Sequence, residues 1–373
     1  MVSGKKIRVL IVDDSAFMRR VITTMLESDE SIQVVAFSRD GKDALVKIKY
    51  YKPDVVTMDV EMPGLNGLET LRRIMAEYPL PVVMFSALTT AGAKQTIEAL
   101  QLGAVDFVAK PANRNALGTL AQELIQKVKT ASEVKVFKQS SNISRKNSSL
   151  VPRSEIPSSV FRVPGESIYK SKVPIDLVAI GTSTGGPSAL QVVLSGIPKD
   201  FPCGIVVVQH MPKGFTRPLA NRLNELCSIE VKEGEEGDLV LPGRAIIAPA
   251  GMQISFKKNQ NRLEISLGEV SPIKTLFKPS VDVMILSAVE NLGARVLGVI
   301  MTGMGNDGLL GLRSLKEHGG IVLAQDENSC VVYGMPRAAH EAGIVDQVLP
   351  LQELSEEICS IVQGPLSLKS FKT

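Results

Sequence analysis

Over residues 5 to about 130, short apolar runs alternate with longer stretches in which apolar residues recur at helical spacing. The runs lie at 7–13, 32–37, 55–59, 82–86 and 106–109, and the helical stretches include 17–26, 65–75 and 93–102. Near-continuous aliphatic runs predict strands buried on both faces, and a three-and-four spacing predicts helices with one apolar face. Such alternation packs as a parallel sheet with helices on both sides and right-handed crossovers. The pattern resumes near residue 173: 176–180, 205–209, 245–248, 295–302 and 321–324 read as strands, and 187–194, 217–226, 281–291 and 309–318 as helices. The stretch 263–267, flanked by Lys257-Lys258-Asn259 and Gly268, reads as one arm of a hairpin at the sheet's edge.

Between these halves the pattern stops. Gln139-Ser140-Ser141-Asn142 is wholly polar, Arg145-Lys146-Asn147-Ser148-Ser149 follows, and Pro152, Pro157 and Pro164 come next. Such a stretch buries too little apolar surface to offset its ordering entropy. The expected organisation is a domain at 5–128, a flexible linker at 129–172 and a second domain at 173–365, each domain a doubly wound α/β sheet. The tail after Gln363 shows no packing face.

A length of 373 residues supports two cores, and 44% hydrophobic residues suffice to fill them. The net charge of +3 creates no field suited to nucleic acid or anionic lipid. The four cysteines lack metal-ligand spacing and fit reduced thiols. The N-terminus has no signal-peptide core, and no apolar run reaches membrane-spanning length. A cytoplasmic protein with no nucleic-acid partner and no membrane-embedded segment is expected. With three histidines, His210, His318 and His340, candidates for a catalytic imidazole are few.

Asp13 and Asp14 close the first predicted strand, Asp59 the third, Ser86 the fourth and Lys110, before Pro111, the fifth. The carboxyl ends of strands in a doubly wound sheet share one crevice, so these groups should converge. Clustered carboxylates favour a hard cation such as Mg²⁺. A phosphoryl group on Asp59 would be neutralised by that cation on one side and Lys110 on the other, with the Ser86 hydroxyl as a donor. Asp13 or Asp14 alone is better read as an ordinary strand-end acid; the full set favours a phosphate-accepting switch.

In the second half, the strand before Gly181-Thr182-Ser183-Thr184-Gly185-Gly186-Pro187 leads into a tight turn and then a helix. The G-x-S-x-G spacing places Ser183 on a sharp strand-to-helix bend. A glycine-rich turn of this kind also cradles phosphates, and on the segment alone both readings stand. A serine hydroxyl needs a base, and His210 is the one histidine at a predicted strand end. Asp307, in the loop Gly303-Met304-Gly305-Asn306-Asp307-Gly308, can orient that imidazole; it can equally cap the helix starting at Leu309. The order Ser–His–Asp argues against the α/β-hydrolase fold. Cys330 reads as a buried or pocket-lining thiol, with no histidine beside it in sequence.

Two resemblances follow from these motifs. Residues 7–128 resemble a response-regulator receiver domain of flavodoxin-like fold, through Asp13-Asp14, Met58-Asp59-Val60-Glu61-Met62-Pro63-Gly64, Ser86-Ala87 and Lys110-Pro111. The resemblance implies phosphorylation of Asp59 by a sensor histidine kinase. It implies Mg²⁺ on Asp14, Asp59 and the backbone carbonyl of Glu61 with Asp13 in support, and Phe107 as switching aromatic in place of the commoner Tyr. Residues 173–362 resemble the catalytic domain of the chemotaxis protein-glutamate methylesterases. The matching runs are 180–186, Gln209-His210-Met211-Pro212-Lys213-Gly214-Phe215-Thr216, 301–308, Pro279-Ser280-Val281-Asp282 and 329–337. This implies Ser183 as nucleophile, His210 as base and acid, Asp307 as orienting carboxylate and the Met304 N–H as oxyanion donor, with no cofactor in that site.

The function this resemblance implies is hydrolysis of glutamate methyl esters on methylated chemoreceptors, with deamidation of receptor glutamines. The resemblance also implies that the unphosphorylated receiver covers the active site. A response regulator that only binds a nucleotide through 181–186, a transcriptional regulator and a catalytically dead scaffold are the alternatives. The second domain shows no helix-turn-helix signal, which disfavours the regulator of transcription.

Overall fold

The computed structural model describes residues 5–87, 89–110, 117–134, 173–260 and 262–363. The first half runs β1 (Ile7–Val12), α1 (Ala16–Glu27), β2 (Ile32–Ser38), α2 (Gly41–Tyr51), β3 (Val55–Asp59), α3 (Gly67–Glu77), β4 (Val82–Ser86), α4 (Thr90–Gln101), β5 (Asp106–Ala109) and α5 (Leu117–Glu133). The strands are parallel in the order β2-β1-β3-β4-β5. Val9 to Val12 and Val82 to Met84 are fully shielded, as strands covered on both faces require. Helix starts are fixed locally: Ser15, Asp40, Asn66 and Thr89 each accept a hydrogen bond from the backbone N–H three residues on. Each such cap is worth about 1 kcal/mol.

One boundary differs from the expectation. Composition places the end of the first domain at 128, but α5 continues to Glu133. Polar residues disguise its last turns, yet Ala131 is fully buried, and Lys129 Nζ bonds Asp29 at 2.6 Å. Pro111, residues 135–172 of the expected linker and the tail after Gln363 lie outside the described residues.

The second half contains β6 (Leu177–Thr182), α6 (Gly186–Ser195), β7 (Gly204–Gln209), α7 (Thr216–Leu226), β8 (Glu230–Glu233), β9 (Arg244–Ile247), β10 (Gln253–Asn259) and β11 (Arg262–Gly268). It continues with α8 (Val281–Leu292), β12 (Val296–Ile300), α9 (Leu309–Glu317), β13 (Ile321–Gln325), α10 (Met335–Glu341), β14 (Gln347–Leu349) and α11 (Leu351–Gln363). Seven parallel strands are ordered β14-β13-β12-β6-β7-β9-β8. Strand order reverses at β6, so the carboxyl ends of β12, β6 and β7 flank the topological switch point where ligands bind in open α/β sheets. The predicted hairpin exists, but as a separate two-stranded sheet, β10 with β11, packed against α8 rather than at the main sheet's edge. Lys257, Lys258 and Asn259, expected to flank the hairpin arm, form the end of β10. Charged residues on its exposed end masked its strand character.

Candidate active site

Register fixes the position of two residues. Thr182 of β6 pairs with Gln209 of β7, so the next residue in each strand, Ser183 and His210, emerges at neighbouring strand ends, about 4.8 Å apart across a parallel pair. The His210 N–H donates to the Thr182 carbonyl at 3.1 Å, and Gln209 Nε2 donates to the Ser183 carbonyl at 2.9 Å. On the other side of β6, the Ser183 N–H donates to the Thr302 carbonyl just past β12, at 3.0 Å. Gly185 turns the chain into α6 with φ of 78°, and a Cβ at Gly303 would lie 2.8 Å from the Ser183 Cβ. Both turns therefore need glycine.

Asp307 reaches this rim from the loop after β12. Its Oδ2 lies 2.7 Å from His210 Nε2. That contact leaves Nδ1 as the other ring nitrogen, buried and without a partner among the described residues. With the proton on Nε2, Nδ1 presents a lone pair able to accept a proton at the rim. No hydrogen bond joins Ser183 to His210 among the described residues, so the structure brings the pair to one rim without closing it.

Asp307 does not cap α9; the N-cap there is Gly308, without a side-chain bond. It sits instead at the start of α8, accepting from the Ser280 hydroxyl at 2.7 Å, the Val281 N–H at 2.7 Å and the Asp282 N–H at 3.2 Å. Burial by itself raises this carboxyl, but His210, Ser280 and the Val281 N–H outweigh it and hold it below the usual carboxylate range. Asp282 returns the arrangement, accepting from the Gly311 N–H in the first turn of α9 at 2.9 Å. Burial, aided by the Asp307 charge, pushes Asp282 up to about 6.

Among the described residues the Met304 N–H has no hydrogen-bond partner, and it stands one residue beyond the glycine packed on Ser183. The Met304 side chain is covered by the first half of the chain: Gln126 Nε2 and Thr130 Oγ1 of α5 lie 3.2 and 3.3 Å from its sulfur. Beside the serine, the Thr184 hydroxyl donates to Asp106 Oδ2 of β5 at 2.6 Å, and both residues are buried. Phe107 packs on Phe215, which follows the His210 loop, with ring centroids 4.5 Å apart. Ser188 Oγ donates to the Leu100 carbonyl at 2.8 Å, and Arg222 Nε to Gln101 Oε1 at 3.1 Å. The β5, α4 and α5 side of the first domain thus lies over the rim that carries Ser183.

In the first domain Asp13, Asp14 and Asp59 converge, with ligand oxygens all within 4.8 Å of one another. Lys110 Nζ lies 2.6 Å from Asp59 and 3.7 Å from Asp13. Burial raises both the Asp13 and Asp59 carboxyls, only partly offset by Lys110, and Asp13 Oδ2 is buried without a hydrogen-bond partner. An orphaned carboxylate oxygen among three acids is the donor set a hard divalent cation fits. The Glu61 N–H donates to Asp59 Oδ1 at 3.2 Å, which sets its backbone beside the cluster. Ser86 is at the end of β4 as expected, but its hydroxyl donates to the Gly92 carbonyl of α4 at 3.1 Å. Phe107 is 3% exposed and turned to Phe215.

Several residues of this rim escaped the sequence reading. Thr184 and Asp106 lie inside quoted or predicted segments, but their contact crosses domains. Phe277, stacked on the His210 ring with centroids 4.1 Å apart, and Gln253, which donates to the Phe277 carbonyl at 2.8 Å, belong to no motif. Cys330 hydrogen-bonds Thr302, and burial pushes its thiol up to about 12, which keeps it protonated. His318 caps α9 through the Ser314 carbonyl at 2.8 Å, and His340 meets the Tyr333 hydroxyl at 3.1 Å.

Comparison with known proteins agrees with both halves. Residues 178–358 match the CheB methylesterase family and residues 9–122 the response regulator receiver domain. The protein-glutamate methylesterase/protein-glutamine glutaminase of Moorella thermoacetica is 44% identical over 418 residues, covering 96% of this chain and 99% of that protein. The enzyme of the same name from Lawsonia intracellularis is 46% identical, covering 95% and 98%. The crystal structure of the Thermotoga maritima CheB methylesterase catalytic domain, 40% identical, covers 51% of this chain and all of that one, with a TM-score of 0.49. A receiver domain followed by a methylesterase domain, similar over nearly its whole length to the Moorella and Lawsonia enzymes, identifies this chain as a member of the protein-glutamate methylesterase/protein-glutamine glutaminase family.

Proposed function

We propose that this chain is a phosphorylation-activated serine esterase that hydrolyses glutamate γ-methyl esters on chemoreceptors and deamidates receptor glutamines, acting in the cytoplasm. The observation that carries the reading is the meeting of Ser183, His210 and Asp307 at three adjacent strand ends, with His210 Nε2 held on Asp307 at 2.7 Å. His210 Nδ1 accepts the Ser183 proton as the hydroxyl oxygen attacks the ester carbonyl. The Met304 N–H stabilises the oxyanion that forms, and Asp307 holds the imidazole in its tautomer and balances the imidazolium charge. His210 then protonates the leaving methanol, or ammonia from a glutamine. It next takes a proton from the water that attacks the acyl-enzyme and returns it to the Ser183 oxygen as the acyl bond breaks, which yields glutamate and free Ser183. Thr182, buried beneath the serine, donates to the Thr302 carbonyl at 2.9 Å, which supports the turn from below.

Asp59 is the phosphoryl acceptor from a sensor histidine kinase. Asp13, Asp14, Asp59 and the Glu61 backbone carbonyl would hold Mg²⁺, which when bound neutralises charge on the phosphoryl group. Lys110 and Ser86 answer that group from the protein's side, and Ser86 must leave the Gly92 carbonyl to do so. Phe107, packed on Phe215, is the group whose movement uncovers the rim. Ser183→Ala should release no methanol from methylated receptors above the rate without enzyme. Undiminished release from that variant would move the nucleotide-loop reading of 181–186 to the front.

A further inference from the structure

The His210 imidazole is tied by a single hydrogen bond, Nε2 to Asp307 at 2.7 Å, while Nδ1 has no partner among the described residues. A ring held at one point retains rotation about its Cβ–Cγ bond, a torsion with a broad energy minimum. Such rotation would turn Nδ1 out of its place at the rim and weaken the Asp307 contact, which opposes it at one edge of the ring. A second ring opposes it over the face. The Phe277 phenyl lies face to face with the imidazole, centroids 4.1 Å apart and planes within 2° of parallel.

Phe277 itself is placed by a buried side chain on the separate hairpin. Gln253, 3% exposed at the start of β10, donates through Nε2 to the Phe277 carbonyl at 2.8 Å. Its Oε1 accepts from the Ser280 N–H at 2.9 Å, and the Ser280 hydroxyl in turn donates to Asp307 at 2.7 Å. One glutamine thereby spans the segment that supplies the ring over His210 and the donor to Asp307. The Phe277 N–H is used locally, on Thr275 Oγ1 at 3.2 Å.

We infer that Phe277 is a positioning residue that fixes the plane of the general base, with Gln253 as its anchor; the inference rests on the esterase reading above. It acts through His210 and touches no reacting atom. A flat ring matters here beyond its apolar volume, because a parallel ring meets the whole imidazole face and a branched aliphatic chain only part of it. Misplacing a base by a fraction of an ångström to one ångström lowers the rate of the chemical step by about ten- to a hundredfold and leaves substrate binding largely intact.

The test uses the full chain, activated with a small-molecule phosphodonor and Mg²⁺, as wild type, Phe277→Tyr and Phe277→Leu. Methanol release gives kcat and KM, and NMR of ¹³C-labelled histidine reads the His210 ring protons, assigned by loss of their signal in His210→Gln. The expected result is a kcat within about twofold of wild type for Phe277→Tyr and about tenfold or more lower for Phe277→Leu, both with KM nearly unchanged. The His210 ring signals should lose their aromatic upfield shift in Phe277→Leu alone. Equal kcat values in the two variants, or unmoved His210 signals in Phe277→Leu, would overturn the assignment. If wild type releases no methanol although the ring shift is present, the esterase reading fails, and Phe277 is reduced to a packing contact.

Discussion

Asp307 does two jobs with one carboxylate. It holds His210, and it satisfies the free donors at the start of α8. Asp307→Ala should therefore cost stability as well as turnover, because it strands buried donors at about 1–3 kcal/mol. Asp307→Asn keeps part of the cradle but removes the charge that balances the imidazolium, so its loss should fall mainly on kcat. Chemical denaturation beside steady-state kinetics separates the two effects. The pH dependence has a defined sign. The folded Asp307 carboxyl lies below its ordinary value of 3.8, so its stabilisation is complete above that pH and is lost as pH falls through the lower folded value. Asp13 and Asp59 run the other way. Their raised carboxyls lower stability as pH rises from about 3.8 through the folded values, and a bound divalent cation should relieve this. Mg²⁺ should raise the thermal midpoint at neutral pH in wild type, and this shift should shrink in Asp13→Asn. Sequence gave these residues their places because each follows a recognisable strand. It did not reveal which ring nitrogen of His210 meets Asp307, which the loop after β12 decides, or the second role of Asp307, which depends on α8, some 25 residues earlier in the chain.

Helices α8 and α9 cap one another. Asp307, just before α9, supplies acceptors to the first turn of α8, and Asp282, in that first turn, accepts from the Gly311 N–H of α9. Asp282→Asn keeps an acceptor for Gly311 and removes a charge from beside Asp307. In wild type the Asp282 carboxyl, raised to about 6, makes stability fall as pH rises from about 3.8 through 6. Asp282→Asn lacks that slope, so it should gain on wild type by on the order of 1 kcal/mol between pH 4 and pH 8, after allowance for solvent screening. Denaturant titrations at the two pH values check this, and parallel curves would contradict it. The elements themselves were largely legible. All ten apolar runs taken as strands are strands, because aliphatic continuity and burial on both faces go together. Those missed were β8 and β14, short edge strands, and β10, whose Lys257, Lys258 and Asn259 face solvent. Periodicity reports burial, and an edge strand has little.

At the scale of the molecule, the receiver face built from β5, α4 and α5 meets the rim of the catalytic sheet at side chains of the catalytic motifs, Thr184, Phe215 and Met304. Asp106 holds Thr184 next to the serine, Phe107 packs on Phe215, and α5 covers Met304. These contacts argue that the resting arrangement restrains the esterase and that phosphorylation at Asp59, one strand away from β4 and two from β5, shifts the population toward an uncovered rim. Phe107→Ala removes the ring contact and leaves a cavity, together about 3 kcal/mol, part of which falls on the interface. It should raise unphosphorylated activity by about tenfold. Domain contacts of this kind were not readable from either half, because no periodicity or motif records which helix face meets a second domain. The most direct test of the whole account is methanol release from methylated receptor membranes by wild type and Ser183→Ala, each with and without a small-molecule phosphodonor and Mg²⁺. The account predicts slow release by wild type alone, a marked rise with phosphodonor, and none from Ser183→Ala under either condition. Release that persists without Ser183, or that ignores the phosphodonor, would contradict it.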